Sequence, residues 1–404
     1  MAELLPGLSQ LRLPRMIRVR QRFDSPVVAD VDAAVRTAVA AIQVPPGTRV
    51  ALAVGSRGIA QLTAVVRALV SVLKEKGANV FIVPAMGSHG GATGEGQRDV
   101  LARLGVDENS AGAPIRSSMD ALKIGQALGV DVFMDATAHC EADWIIPVAR
   151  VKPHTGFRGP VESGICKMLA IGLSKHIGCT QIHRQGYERF PDLIPAAARL
   201  ALGTGKIPCA LALIENAREQ LAHIELVPGS AVMTREPELL NMARALMPRL
   251  LMPEIDVLVV EEIGKDISGV GMDSNVTGRG LSGPLLGFTG PKITRIVALS
   301  LTEKTHGNAV GVGQADIITQ KLYDAIDRTV TYTNALTSGS LANGKIPVVL
   351  PTEEQAIMAA ASCVSGVKPG DARIVRIKNT LQLEELQVSE YIVEALRGFG
   401  VSPM

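Results

Sequence analysis

The stretch that decides the fold runs from residue 49 to residue 91. It begins with RVALAVGS (49–56), an apolar run of strand length that ends in small residues. GIAQLTAVVRALVSVLKEKG (58–77) follows with apolar residues at helical spacing and a terminal glycine, and NVFIVPAMGSHGG (79–91) is a second strand with a glycine-rich turn. Strand, helix and strand form a βαβ unit, so we predict that the two strands are parallel.

Two polar side chains follow these predicted strands. Arg57 lies in the turn GSRG, and His89 lies in the turn GSHGG. Ligands of parallel sheets bind outside the carboxyl ends of the strands, so we expect both residues to face one crevice. The first turn lacks the G-x-G-x-x-G pattern, which disfavours a dinucleotide site. The guanidinium of Arg57 suits a carboxylate or phosphate ligand, and a structural ion pair is the alternative.

Strands and helices continue to alternate along the rest of the chain. A second α/β unit begins with IDVLVVEEIG (255–264), after a hinge at Met252-Pro253, and includes a predicted helix over 315–330. We therefore predict two α/β domains with largely parallel sheets and the active site in the inter-domain cleft. Residues 1–252 form the N-terminal domain with the cofactor and catalytic motifs, and 253–404 form the C-terminal domain that closes the cleft.

The composition narrows the class of partner. The 404 residues include 41 Lys and Arg against 39 Asp and Glu, which gives no field that would favour nucleic acid or an anionic membrane. Five scattered cysteines without a C-x-x-C pair argue against a disulfide framework or a zinc knuckle. Because no stretch is of signal-peptide type or membrane-span length, we expect a cytoplasmic protein with a small-molecule partner. A homo-oligomer is compatible with this sequence.

Three chemically capable side chains lie in RVKPHTGFRGPVESGICKMLAIGLSKHIGCTQIH (150–183), namely His154, Lys167 and His183. The glycine-rich first half predicts a loop, and the apolar run around Lys167 predicts a helix that begins near Gly164. The start of such a helix favours a phosphate or carboxylate. Each residue also has a structural interpretation, since Lys167 could be a snorkelling surface lysine and His183 a satisfied core histidine.

A polar, glycine-rich loop over 265–280 follows the first strand of the second domain. Loops of this length in a compact domain are more often functional than idle, so we expect part of it to close over the cleft. Lys265 and Asn275 are its candidate substrate-binding residues. By contrast, His139 and His223 lack a glycine-rich context, and we assign both to structure.

With GSRG, GSHGGAT and PHTGF...ESGICK...H, the chain resembles the nickel-pincer lactate racemase family, whose members racemise or epimerise 2-hydroxy acids. The resemblance implies a nickel-pincer pyridinium mononucleotide as cofactor, with Lys167 as its tether and His183 as the nickel ligand. It implies His89 and His154 as the acid and base, and Arg57 as the substrate-binding arginine. Ser88, Gly90 and Gly164 are the further cofactor-binding candidates.

The function that this resemblance implies is a nickel-dependent 2-hydroxy-acid racemase or epimerase that works by hydride transfer. An unaided histidine cannot remove the weakly acidic C2 hydrogen, but it can exchange the hydroxyl proton near neutral pH. One alternative is a metal-dependent hydrolase or lyase that uses His89 and His154. Another is a non-catalytic protein that binds or carries the cofactor.

Overall fold

The computed structural model describes residues 12–56, 58–280 and 283–404. The chain divides into two compact units. One unit is Asp24–Met247, and the other joins the N-terminal residues up to Phe23 to Pro248–Met404. The division after Met247 lies near the predicted boundary at 252, but the N-terminal segment belongs to the unit formed by the C-terminal residues.

The strands are short and distributed along the whole described chain. They are β1 (Met16–Gln21), β2 (Arg49–Val54), β3 (Asn79–Pro84), β4 (Ala121–Ala127), β5 (Val130–Asp135), β6 (Trp144–Arg150), β7 (Cys209–Glu215), β8 (Leu221–Pro228), β9 (Glu254–Val260), β10 (Arg279–Gly280), β11 (Gly283–Pro284), β12 (Lys292–Ala298), β13 (Ile317–Thr319), β14 (Val348–Leu350), β15 (Ile374–Ile377), β16 (Glu385–Ser389) and β17 (Val401–Pro403).

The α-helices separate most of these strands. They are α1 (Val31–Ala38), α2 (Leu62–Glu75), α3 (Gly94–Arg103), α4 (Glu108–Ala111), α5 (Ala136–Glu141), α6 (Ile165–Lys167), α7 (Lys175–His183), α8 (Phe190–Gly203), α9 (Val232–Leu246), α10 (Ser274–Thr277), α11 (Gln320–Asp324), α12 (Arg328–Thr337), α13 (Glu353–Ser362) and α14 (Val393–Leu396). Between α6 and α7 the residues Met168–Gly172 form a π-helical turn.

The unit Asp24–Met247 is built on a five-stranded sheet with the order β3-β2-β6-β7-β8. Its first four strands are parallel, and only β8 is antiparallel to its neighbour. The parallel pairing of β2 with β3 confirms the predicted βαβ unit. Both faces of this sheet are buried: Ala51 and Ala53 of β2 join one apolar cluster, and Val50, Leu52 and Val54 join another. Such two-sided burial accounts for the continuous apolar run of β2.

The other unit is built on an eight-stranded sheet with the order β14-β13-β12-β9-β15-β16-β1-β17. The five strands from β14 to β15 are parallel, and β1 pairs antiparallel with both β16 and β17. This pairing places the N-terminal strand in the unit of the C-terminal residues. Two α/β units with largely parallel sheets confirm the predicted fold class. Within the described ranges, no helix combines the length and apolar character needed to cross a membrane.

The predicted helix over 315–330 is wrong in its first part. Ile317–Thr319 forms β13 between β12 and β14, and helix α11 begins only at Gln320. Ile317 and Ile318 point to opposite faces of the sheet, and both are buried, as expected for a parallel strand that is covered on both sides. A short apolar run next to a helical pattern does not reveal by its periodicity which of the two structures it adopts.

Candidate functional site

The site is built at one edge of the five-stranded sheet. Strands β3, β2 and β6 are parallel neighbours, and Val54, the last residue of β2, is level with Pro84 and Val148. The turns that follow these strands therefore start at the same edge. They carry Ser88 with His89 and, after β6, His154. Arg57, the predicted substrate-binding arginine, lies outside the described residues.

The turn that carries His89 is shaped by glycines. Gly87, Gly90 and Gly91 all have positive φ angles, between 60° and 66°, and the imidazole of His89 is exposed. A Cβ atom on Gly90 would overlap the backbone of Gly96, so the turn packs directly against the first turn of α3. This close approach gives Gly90 a structural reason to be glycine, whereas its predicted contact with a cofactor stays a prediction.

His154 is held by a buried carboxylate that the sequence analysis did not identify. Glu162, which is fully buried, accepts a hydrogen bond from the His154 backbone N–H at 2.6 Å and pairs with Arg158 and Arg244. The Gly156 N–H donates to Nδ1 of His154 at 2.9 Å. A neutral ring in this arrangement carries its proton on Nε2, so the Nε2 edge is a hydrogen-bond donor.

His183 has the opposite arrangement of its ring nitrogens. Its Nδ1 lies 2.8 Å from the backbone carbonyl oxygen of Cys179, one helical turn earlier. A carbonyl can only accept, so Nδ1 carries the proton and the lone pair is on Nε2. Metal-binding histidines commonly have this arrangement, in which a backbone carbonyl fixes the tautomer. The geometry of His183 therefore fits a metal ligand that binds through Nε2.

Cys179 connects His183 to the turn of Ser88. Its Sγ lies 3.5 Å from His183 Nδ1 and 3.7 Å from Ser88 Oγ. Burial alone would raise the pKa of Cys179, but hydrogen bonds with His183 and Ser88 outweigh burial and lower it. Partial burial would lower the pKa of His183, but the contact with Cys179 outweighs burial and raises the pKa, although the residue as a whole is exposed. A metal at His183 must therefore compete with a proton.

An aromatic cluster joins His154 to His183. The ring of Tyr187 lies 5.9 Å from the ring of His154 and 6.4 Å from that of His183, measured between centroids. Phe190 lies 5.3 Å from His183 and 4.9 Å from Tyr187, and Phe157 lies 4.6 Å from His154. The structure thus brings the predicted base and the predicted metal ligand into one cluster.

Lys167 lies at the junction of α6 and the π-helical turn and is half-buried. Its positive charge is near enough to His183 to oppose protonation of that imidazole. π-Helical turns inside helices occur frequently at functional sites. The position of Lys167 next to such a turn is compatible with its predicted role as a cofactor tether.

The start of helix α6, which we predicted to favour an anion, already holds a carboxyl group of the protein. Glu236, on α9, is fully buried and accepts a hydrogen bond from the Cys166 N–H at 2.8 Å. Burial raises its pKa to about 7. A Cβ atom on Gly164 would overlap Oε1 of Glu236. Gly164 is therefore required by packing, which is a different reason from the predicted contact with a cofactor.

Replacing Gly164 with alanine is expected to destabilise the protein by about 1–3 kcal/mol, because the added methyl group must displace a buried carboxyl group. Equilibrium unfolding in urea measures this change. Gly203→Ala is the matched control, since Gly203 lies at the end of α8 with open space around its would-be Cβ. A Gly164→Ala variant that unfolds like the wild type but loses cofactor would show that Gly164 contacts the cofactor instead.

The two candidate substrate-binding residues of the other unit form hydrogen bonds within that unit. Lys265 Nζ donates to the carbonyl oxygen of Gly269 at 2.7 Å and to Asn334 Oδ1 at 2.9 Å. The side-chain amide of Asn275 donates to Asp273 Oδ1 at 2.8 Å, and Asp273 caps helix α10. Hydrogen bonds within the loop over 265–280, and one from Lys265 to helix α12, therefore hold both side chains, and substrate binding by Lys265 and Asn275 stays a prediction.

One family model matches part of the chain. Residues 55–239 match a family model described as a domain of unknown function, DUF362, and this range contains Ser88, His89, His154, Lys167 and His183. No curated protein matches the sequence.

Two solved structures share the fold. The chain is similar to the lactate racemase apoprotein from Thermoanaerobacterium thermosaccharolyticum, with 13% identity and a TM-score of 0.56 over 95% of this chain and 96% of that one. It is also similar to a protein from Thermotoga maritima, with 12% identity and a TM-score of 0.54 over 90% of this chain and 99% of that one. The chain therefore has a two-domain α/β fold of the lactate racemase kind.

Proposed function

We propose that this protein is a nickel-dependent racemase or epimerase of a 2-hydroxy acid. The observation that carries the proposal is the grouping of His154, His183 and the turn of Ser88 and His89 at one edge of a parallel sheet. His154 and His183 share the ring of Tyr187, and Ser88 reaches His183 through Cys179. These residues come from three separate parts of the chain.

The donor set of the described residues fits a metal that is held mainly by a cofactor. In the part of the chain that the structure describes, no three His, Cys, Asp or Glu side chains gather as metal ligands would. His183 can supply one nitrogen through Nε2, and a cofactor that brings its own donors would complete the coordination of nickel. When bound, a nickel-pincer pyridinium mononucleotide would supply soft sulfur donors to nickel and an acceptor for hydride. Lys167 would hold this cofactor.

The protein's own residues would then handle the proton and the orientation of the substrate. One of the histidines His89 and His154 would accept the hydroxyl proton as the 2-hydroxy acid is oxidised to a planar 2-keto acid. The other histidine would give its proton to the carbonyl oxygen when the opposite face of the keto acid is reduced, which would yield the mirror-image acid. Arg57 is proposed to bind the carboxylate, since a guanidinium matches it with two parallel hydrogen bonds.

The test is racemisation in deuterated water, with lactate and longer 2-hydroxy acids as probes. Hydrogen transferred as hydride does not exchange with solvent, so we expect inversion with little or no deuterium at C2 and a primary isotope effect when C2 is labelled. The enzyme should be produced together with cofactor-building enzymes, and its intact mass and nickel content should be measured first. Protein produced without those enzymes is the control.

Three outcomes would contradict the proposal. Substantial deuterium at C2 after one turnover would mean proton exchange at carbon and not hydride transfer. Hydrolysis or elimination by protein that contains no mononucleotide would identify a hydrolase or lyase that uses His89 and His154. Tight cofactor binding without turnover of any 2-hydroxy acid would identify a carrier protein.

A further inference from the structure

Lys175 is a buried lysine in a conformation that lysine rarely adopts. It is the first residue of α7, separated from the end of the π-helical turn by two residues, and its side chain is completely inaccessible to solvent. Its φ angle of +54° lies in the left-handed region, which is costly for a residue with a side chain. A charged group that is both buried and on strained backbone needs partners that stabilise it.

The ammonium group of Lys175 has three such partners. It lies 2.7 Å from Oδ2 of Asp135, which is also fully buried, and it donates to the carbonyl oxygen of Pro84 at 2.8 Å. The third partner is Oε1 of Gln97, at 3.3 Å. Pro84 is the last residue of β3, and Asp135 ends β5 and caps α5. One ammonium group thus joins α7 to the ends of two strands.

Gln97 extends this network to the turn that carries His89. Gln97 is fully buried on α3, and its Nε2 donates to the carbonyl oxygens of Gly87 at 2.8 Å and His89 at 3.4 Å. Its Oε1 faces Lys175, so its amide is oriented by a donor on one side and two acceptors on the other. The chain of contacts runs from Asp135 through Lys175 and Gln97 to the backbone on both sides of Ser88.

Replacing a buried ion pair with apolar side chains of similar volume often leaves stability unchanged or improves it, so stability alone does not explain why this network is charged. Its geometric effect is specific. Lys175 begins the helix that ends at His183, and Gln97 donates to the carbonyl oxygens of Gly87 and His89, on either side of Ser88. The network connects the proposed metal ligand to the proposed acid or base.

We propose that Lys175, acting through Gln97, is a positioning residue that fixes the Gly87–His89 turn relative to helix α7. The expected effect on catalysis rests on the proposed function, because it assumes that His89 is the acid or base of the reaction. The placement of the turn itself can be measured without any reaction.

Gln97→Leu tests this inference. It leaves the ion pair of Lys175 with Asp135 and the contact with Pro84 in place, so the variant is expected to fold. Gln126→Leu is the matched control, because Gln126 is exposed and its side-chain amide donates to Asp131, away from the Gly87–His89 turn. The double variant Lys175→Met, Asp135→Asn removes the charges together and avoids leaving either one buried without its partner.

We expect amide hydrogens of residues 85–92 to exchange roughly tenfold faster or more in Gln97→Leu, since the carbonyl oxygens of Gly87 and His89 lose the amide that donates to them. In cofactor-loaded protein, kcat per bound nickel should fall about 10- to 100-fold while KM changes little, because a small misplacement of an acid or base acts on the chemical step. Nickel content should stay at the wild-type level. The double variant should show both effects more weakly than Gln97→Leu, because Gln97 keeps its bonds to the turn and loses only the lysine that orients it. Gln126→Leu should show neither effect.

The outcomes separate this inference from the proposed function. Unchanged exchange and unchanged kcat in Gln97→Leu would overturn the inference, and so would faster exchange with unchanged kcat in an active enzyme. If the wild type turns over no 2-hydroxy acid but Gln97→Leu still exchanges faster over 85–92, the proposed function fails while the positioning of the turn by this network stands.

Discussion

Replacing His183 with alanine is expected to lower the nickel content of the purified protein roughly 100-fold or more, because it removes the proposed protein ligand. The Nε2 lone pair of His183 is available as a result of the bond between its Nδ1 and the Cys179 carbonyl oxygen. Cofactor attachment at Lys167 should continue in this variant. Elemental analysis gives the metal content, and intact mass reports the cofactor.

His176→Ala is the matched control for this experiment. His176 lies on the same helix, is exposed, and contacts Thr180 through Nδ1. Because the His183 ring packs on Phe190, thermal unfolding should be recorded for both variants to show that they are folded. If the His183→Ala protein keeps its nickel and the His176→Ala protein loses it, the metal ligand is His176 and not His183.

The second large effect is expected at the acid and base. His154→Asn and His89→Gln should each reduce racemisation in both directions by roughly 10²- to 10⁴-fold, since each direction needs one histidine as base and the other as acid. Nickel content should remain unchanged. Asparagine suits position 154 because its side-chain oxygen can accept the Gly156 N–H that now donates to Nδ1. The variant therefore preserves the loop and removes only the titratable ring.

His223→Asn serves as the control for these two substitutions, because His223 pairs with Glu225 on β8. Rates should be measured from each enantiomer separately. If the enzyme keeps most of its rate in either direction without His154, a different group transfers the proton.

The hydrogen bond at Nδ1 of His154 also bears on its role as a base. His154 can accept a proton at Nε2 only after the proton of its neutral ring has moved from Nε2 to Nδ1.

Local patterns in the sequence predicted the parts of the fold that depend on neighbouring residues. The parallel pairing of β2 with β3 followed from apolar periodicity and two glycine-rich turns. The pairing of β1 with β16 and β17 could not be predicted in this way, since it joins residues separated by most of the chain. Likewise, the strand β13 became distinguishable from a helix only beside β12 and β14.

The candidate site shows the same limit. His154, Lys167 and His183 stood out because they are reactive residue types in a glycine-rich setting, and His154 and His183 meet at Tyr187. Glu162, Glu236 and Lys175 were not identified, although all three are fully buried. A charged residue has the same appearance in a sequence whether it is solvated or buried. Its burial depends on partners such as Arg244, Cys166 and Asp135, which are distant in sequence.

The π-helical turn between α6 and α7 sets the directions in which Lys167 and His183 point relative to each other. The number of residues between them therefore matters for the site. Lys167 and His183 are sixteen positions apart, and at about 100° per residue a continuous α-helix would point them about 160° away from each other. The wide turn at Met168–Gly172 and the left-handed residue Lys175 interrupt that rotation, and the charge of Lys167 acts on His183. Inserting or deleting one residue here would swing one side chain around the axis relative to the other by about a quarter turn. The spacing of these two residues is therefore constrained by rotational phase as well as by their chemistry.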